Sequence, residues 1–462
     1  MELAFLPATE QARLVREREV SPVELVELYL ERIERLDPEL GAFVTVCADA
    51  ALADARAKEA EPAETAFHGV PIALKDLDTT RGIRTTFSCR AFADNVPAFD
   101  LAHVAKTRAA GFVVLGKTNT PEFGTTAFTD SPLNGPCRTP WELGRNAGGS
   151  SGGAGAAVAA GLVGIAQGSD GGGSVRIPAS CCGLFGLKPS RGRVSNAPFV
   201  PGIGLGSTGP LARTIADAAA YLDVVRGYEW GDPFPAPVPE RPFAEEVGAD
   251  PGRLRIALTT ASPIGSDVDP ACVAAARDAA ELLASLGHEV VEAAPDWGGD
   301  GLMEDFLPVW QATPALYPVP DPAELTDLNR WYLAGAAETA SPAYAAAIAR
   351  LQTRARRIVA LWADHDLLLT PTLALPPVPV GWDTEPDDPR EQFDRAARFT
   401  PFTAAFNVTG QPAVSLPLHW SEDGLPIGVQ LVGPPLGEAL LLRISSQLEA
   451  ARRWLDRRPP HA

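Results

Sequence analysis

The sequence predicts an α/β fold, on three observations. Short apolar runs of strand length recur along the 462 residues, stretches with helical spacing lie between them, and 42 glycines and 44 prolines punctuate the chain. Ser21-Pro22-Val23-Glu24 is a capping box with proline at the first helical position. Leu25, Leu28, Tyr29, Ile33 and Leu36 follow at helical spacing, so a helix runs to about residue 36. Residues 72–74 form a buried strand ending in Lys75-Asp76. A helix over 101–110 leads into a strand at 112–116. The Gly/Ala-rich run 152–168 reads as a packed helix entering a strand at 162–166, too short to span a bilayer. Strands at 254–258 and 289–291 flank a helix over 269–286, and a helix over 342–362 precedes a strand at 367–370. Strands at 414–416 and 427–432 and a helix over 438–453 close the pattern. Residues 230–253, rich in Pro and Glu, read as a surface excursion. Residues 306–344 are partly helical and rich in Trp and Tyr.

With 46% apolar and 21% charged residues, this is an ordinary globular composition with ample length for a core. One large domain over 1–462 is the simplest reading, with a central block at about 65–210 and a variable region at about 228–345. Acidic residues outnumber basic ones, 58 to 39, for a net charge of −19. That field disfavours nucleic acid and anionic membrane surfaces. Cys47, Cys89, Cys137, Cys181, Cys182 and Cys272 show neither disulfide nor zinc spacing, and the N-terminus lacks a signal-peptide core. The expectation is a cytoplasmic protein. The six histidines form no metal motif and read as surface or helix-end residues.

The densest chemical signal lies in 144–195. It holds Gly148-Gly149-Ser150-Ser151-Gly152-Gly153 and Gly168-Ser169-Asp170-Gly171-Gly172-Gly173-Ser174. Three glycines before a serine let successive N–H groups converge on one point, as an oxyanion hole requires. The bland alternative is a pair of Gly-rich turns. A nucleophile elbow matches by pattern, but no strand precedes residue 148. A phosphate loop would need a lysine there, and the dinucleotide spacing is absent. Nothing singles out a histidine as base. Lysine is another answer: the chain has only five, Lys58, Lys75, Lys106, Lys117 and Lys188, and all other basic residues are arginines. A buried lysine gives up its proton at useful pH, whereas arginine does not. Lys75 ends an apolar strand, so it is a candidate base; the alternative is a lysine snorkelling from the strand end or paired with Asp76 or Asp78.

Longer motifs carry a resemblance. His68-Gly69-Val70-Pro71-Ile72-Ala73-Leu74-Lys75-Asp76, Gly116-Lys117-Thr118-Asn119-Thr120-Pro121-Glu122-Phe123-Gly124, and the two Gly/Ser blocks resemble the amidase signature family. So do Arg176-Ile177-Pro178-Ala179, Gly183 to Ser190, Leu367 to Thr372, Asn407 to Ala413 and Gly424 to Gln430. The resemblance covers nearly the whole chain and is weakest at about 230–341. It implies a mixed central β-sheet flanked by helices on both faces and a Ser-Ser-Lys triad. By position, Ser174 is the nucleophile, Ser150 the bridging serine and Lys75 the base, with a cis peptide before Ser150. Neutral Lys75 would relay a proton from Ser174 through Ser150, and an acyl-enzyme would form. Backbone N–H groups of Gly171, Gly172, Gly173 and Ser174 would hold the oxyanion. Ser151, Asp170 and Arg176 would support the loop. No metal or organic cofactor is implied. Gly171 departs from the larger residue frequent in the family, which predicts a more flexible loop, and Thr139 replaces the commoner Asn before Pro140-Trp141.

The expected function is hydrolysis of amides, extending to carbamates and esters. Aromatic density in the variable region points to an apolar or aromatic substrate group. Pocket candidates are Phe128, Thr129, Arg193, Phe199, Val200, Ile203, Trp310 and Trp331, with Phe306, Tyr317 and Tyr332 in the same aromatic stretch. The partner is then a small amide or carbamate, for a monomer or homodimer. Two alternatives stand: a glutaminase-type A subunit of a tRNA-dependent amidotransferase, and a catalytically inactive binding homologue.

Overall fold

The computed structural model describes residues 2–199 and 204–462. Val200 and Ile203 lie outside the described residues. Eleven described strands form one sheet: β1 (Phe43–Val46), β2 (Pro71–Lys75), β3 (Val113–Thr118), β4 (Ile165–Asp170), β5 (Phe185–Lys188), β6 (Ser207–Ala212), β7 (Arg255–Leu258), β8 (Glu289–Glu292), β9 (Leu367–Pro371), β10 (Ala413–Trp420) and β11 (Pro426–Val432). Their spatial order is β1-β3-β2-β4-β6-β5-β10-β11-β9-β7-β8. The sheet is mixed: β3-β2-β4 and β9-β7-β8 run parallel within themselves, and the remaining pairs are antiparallel.

Period-two alternation sends side chains of each strand to opposite faces. On β2, Ile72 and Leu74 pack with helices α1 (Ala8–Arg16), α4 (Ala102–Ala109), α7 (Ile215–Val225), α8 (Pro270–Ser285) and α14 (Glu438–Ala451). Ala73 faces the other way, toward α2 (Pro22–Leu40), α3 (Ala48–Glu59), α5 (Gly152–Ala159) and α6 (Arg176–Cys182). Toward the far end, Ala257 of β7 and Leu368 of β9 pack with α9 (Leu302–Trp310), α11 (Ser341–Val359) and α13 (Ala405–Thr409). Helices α10 (Asp327–Glu338) and α12 (Pro389–Phe399) pack on each other beyond this layer. Strands covered on both faces read as unbroken apolar runs, which is why most were visible in the sequence.

Differences are local. Helix α2 continues to Leu40, one turn past the expected end, and stops at Gly41, whose φ is 64°. The strand expected at 162–166 begins at Ile165, because Gly161 (φ 66°) ends α5 in a turn and the Leu162 N–H bonds back to Ala157 O. The variable region is more than a surface insertion: it supplies β7 and β8 to the sheet. Within 230–253, Trp230 is 97% exposed, yet Phe243 is buried under Arg193 and Arg226. The histidine expectation fails at His68 and His288, which are buried; His103 does sit at a helix end, but fully buried in the first turn of α4, 3.4 Å from Asp78. Among the described residues, no helix is long and apolar enough to cross a membrane.

Candidate active site

The parallel strands β2 and β4 end at the same edge of the sheet, and the chemistry gathers there. Because Lys75 shares the Ala73 face, its side chain enters the layer that holds α5. Its Nζ donates to Ser150 Oγ at 2.6 Å and to Ser169 Oγ at 3.1 Å. Lys75 is 0% exposed, and burial pushes its pKa down from 10.5 to about 7, against the opposing charges of Asp78 and Asp170. The pairing alternative is not realised. The Asp76 carboxylate accepts from Thr86 N and Thr86 Oγ1. Asp78 faces His103, while its carbonyl accepts from Lys117.

Ser150 sits just before α5, and the Gly149–Ser150 peptide is cis. Gly149 is needed for close approach: a Cβ there would lie 2.7 Å from the Phe128 backbone nitrogen. Ser151 ties this segment to the loop that carries Ser174. Its N–H donates to Ser174 O at 3.2 Å, and its hydroxyl donates to Ser169 O at 3.2 Å.

The loop from Gly171 to Val175 links β4 to α6, and Asp170 organises it from below. One carboxylate oxygen accepts from Gly173 N at 2.8 Å and the other from Val175 N at 3.2 Å. Arg176 clamps both oxygens, Nη2 to Oδ1 at 2.8 Å and Nε to Oδ2 at 3.0 Å, with both residues fully buried. Burial raises the Asp170 pKa, but the Arg176 charge outweighs it and holds the carboxyl well below the usual carboxylate range. Arg176 also donates to Thr403 O, Gln430 Oε1 and Asn407 Oδ1. The four expected oxyanion donors narrow to three, because the Gly173 N–H is spent on Asp170. Among the described residues, the N–H groups of Gly171, Gly172 and Ser174 donate to no protein acceptor.

Ser150 and Ser174 open into a common cavity of about 720 Å³. Its walls include Phe87, Phe92, Phe99, Phe123, Trp310 and Tyr317. Ser174 also borders a smaller apolar space of about 70 Å³, bounded by Ile177, Phe306, Tyr332 and Ala397. Among the described residues, no cluster of His, Cys, Asp and Glu has the arrangement of a metal site.

The sequence matches the Amidase family over residues 24–442. The chain belongs to that family. It is a hydrolase acting on carbon–nitrogen bonds other than peptide bonds. A 6-aminohexanoate-cyclic-dimer hydrolase of Pseudomonas sp. (strain NK87) is 40% identical over 478 residues, spanning 98% of this chain and 96% of that protein. The solved structure of 6-aminohexanoate cyclic dimer hydrolase complexed with substrate matches with a TM-score of 0.94 at 37% identity, covering 100% of both chains. A bacterial aryl acylamidase of the amidase signature family matches with a TM-score of 0.89 at 29% identity, covering 97% of each.

The fold brings Lys75, Ser150, Ser151, Asp170, Ser174 and Arg176 into one neighbourhood. It disperses the pocket candidates. Phe199 and Trp310 line the large cavity, and Phe306 and Tyr332 the smaller one. Phe128 instead stacks on Phe399 and packs against Trp382, with its backbone close against Gly149. Thr129 is buried, donating to Gly148 O at 2.8 Å and accepting from Gly152 N at 3.1 Å. Arg193 pairs with the buried Glu438 and lines neither cavity. Trp331 packs on Tyr332 and Phe393, outside both. Sequence reasoning missed Ser169, which touches Lys75, and Thr403, whose hydroxyl donates to Gly172 O at 2.5 Å. Ser169 lay within a quoted motif, while Thr403 carried no signal.

Proposed function

We propose that this chain hydrolyses amides through an acyl-enzyme on Ser174, with Ser150 and Lys75 moving the proton. The observation that carries this reading is Lys75 Nζ, which meets a serine hydroxyl at 2.6 Å in place of a carboxylate. A lysine with a pKa of about 7 is substantially neutral near neutral pH and accepts a proton there. Lys75 takes the Ser150 hydroxyl proton as Ser150 takes that of Ser174. Ser174 Oγ bonds to the carbonyl carbon, and the oxyanion is held by the N–H groups of Gly171, Gly172 and Ser174. Collapse of this intermediate breaks the C–N bond. The proton returns through Ser150 to the departing nitrogen, giving a free amine and an ester on Ser174. Water then adds to that ester by the same relay and releases the acid.

The aromatic walls support an amide with an apolar or aromatic group, including aryl amides. The same steps serve aryl carbamates and esters, which present the same carbonyl. The test is a panel of an aryl anilide, a matched small aliphatic amide, an aryl carbamate, a nitrophenyl ester, 6-aminohexanoate cyclic dimer and glutamine, run with wild type and Ser174→Ala. Turnover of the anilide that disappears in the variant supports the reading. Turnover surviving in Ser174→Ala refutes the nucleophile, and preference for the small amide refutes the aromatic substrate class. Glutamine as the sole substrate would favour the glutaminase reading.

A further inference from the structure

Trp310 stands between the two cavities. It lines the large aromatic chamber and the small apolar annex, and Ser174 borders both. The indole is fixed on three sides. Its Nε1 donates to Thr125 O at 3.0 Å, and its ring stacks on Phe306 with centroids 5.2 Å apart and planes 23° apart. Its far edge lies against the nucleophile loop: a Cβ on Gly171 would sit 3.3 Å from Trp310 Cη2 and 3.4 Å from Cζ3. Gly171 therefore leaves the space that the indole uses, and a side chain there would crowd it.

The proton relay tells the two sides apart. The departing nitrogen receives its proton from Ser150, and Ser150 lines the chamber and not the annex. The amine portion of a bound amide then lies in the chamber, and the acyl portion turns into the annex behind Trp310. At about 70 Å³, the annex is about a tenth the size of the chamber, narrowed between Trp310, Phe306 and Ile177. We propose that Trp310 is a specificity-determining residue of this hydrolase: seated against Gly171, it partitions the site and limits the acyl group to a short chain, while the chamber takes a large amine. This rests on the acyl-enzyme reading above.

The test uses two series of amides with the full-length protein. One keeps p-nitroaniline as the amine and lengthens the acyl chain from acetyl to octanoyl. The other keeps acetyl and enlarges the aryl amine. For wild type, kcat/KM falls at least tenfold from butyryl to octanoyl and does not fall across the amine series. In Trp310→Ala the octanoyl-to-acetyl ratio of kcat/KM rises at least tenfold, and Trp310→Phe gives a smaller rise. Gly171→Ala, which pushes the indole, changes that ratio without changing the order of the amines. A wild type indifferent to acyl length, or a Trp310→Ala effect confined to the amine series, overturns the proposal. If Trp310→Ala does not fold, Trp310→Phe and the wild-type series decide. Should the anilides react too slowly, the same acyl chains as p-nitrophenyl esters are read by intact mass as adducts on Ser174. Absence of both adduct and nitrophenolate release overturns the proposal together with its premise. Loss of turnover in Ser174→Ala upholds the acyl-enzyme whichever way the ratios fall, so the two failures are distinct.

Discussion

On the proposed mechanism, the pH dependence of this hydrolase follows from one buried amine, Lys75. An ordinary lysine at 10.5 is about 0.1% neutral at pH 7.5, whereas Lys75 at about 7 is roughly three-quarters neutral. Below its pKa the neutral fraction falls tenfold per unit, so kcat/KM should show an acid limb with an apparent pKa near 7. Replacing Asp78 tests the cause. A nearby carboxylate favours the protonated amine, so Asp78 holds the Lys75 value up against the effect of burial. Asp78→Asn removes that attraction and moves the limb toward acid, by an expected shift of about half to one unit. The assay is kcat/KM on an aryl anilide between pH 5 and 9 at constant ionic strength. Damage to the fold lowers the plateau without moving the limb, so the limb's position is the readout. A wild-type profile flat below pH 7, or a limb displaced toward alkali in Asp78→Asn, refutes the reasoning.

Other perturbations have defined outcomes. Ser150→Ala cuts the relay at the 2.6 Å contact and should lower kcat by about 10²–10⁴-fold with little change in thermal stability, read by steady-state kinetics and melting. Arg176→Met leaves Asp170 charged, fully buried and without its clamp. Denaturant unfolding should show a loss of about 3–5 kcal/mol, and a loss below about 1 kcal/mol would mean the pair is not the brace described. Gly149→Ala places a methyl 2.7 Å from Phe128 N and should cost about 1–3 kcal/mol or more, with activity falling alongside.

Much of this arrangement was legible in the chain, for physical reasons. Strands buried on both faces announce themselves as apolar runs, so β2, β3, β7, β9 and β11 were visible. Strand β6, Ser-Thr-Gly-Pro-Leu-Ala, was not: its identity comes from antiparallel pairing to β4 and β5 rather than from its own residues. Lys75 was legible because lysine is scarce here and because it ends such a run. The pocket was less so. Trp310 and Trp331 stand in one aromatic region, and nothing local tells which faces the cavity; α9 presents the first to the nucleophile loop, and α10 packs the second against α12. Arg193 looked like a pocket residue because Glu438, its partner, lies 245 positions away. A glycine run advertises free N–H groups, whereas Asp170, three residues before Gly173, claims that residue's amide.

The unpaired state of Lys75 is a consequence of how its neighbours are satisfied. Two buried carboxylates, Asp78 and Asp170, lie near enough to act on its charge, and either could have taken it as a counterion. Asp170 is committed to Arg176 through two hydrogen bonds and to Gly173 N and Asn407 Nδ2 through others. Asp78 turns one oxygen toward His103 Nε2, 3.4 Å away, and the charge of Lys117 lies beside it. With Asp170 claimed and Asp78 turned toward His103, the Lys75 ammonium finds only hydroxyl oxygens within 3.1 Å, which stabilise the charged form far less than an ion pair would. Desolvation therefore dominates and the amine titrates near neutrality. On the proposed mechanism, Arg176 acts on the proton relay without touching it. Removing Arg176 frees a carboxylate to draw the Lys75 proton, so its loss should raise the acid limb as well as weaken the fold. A variant that loses stability while the limb stays in place would separate the two roles and leave Arg176 a brace alone.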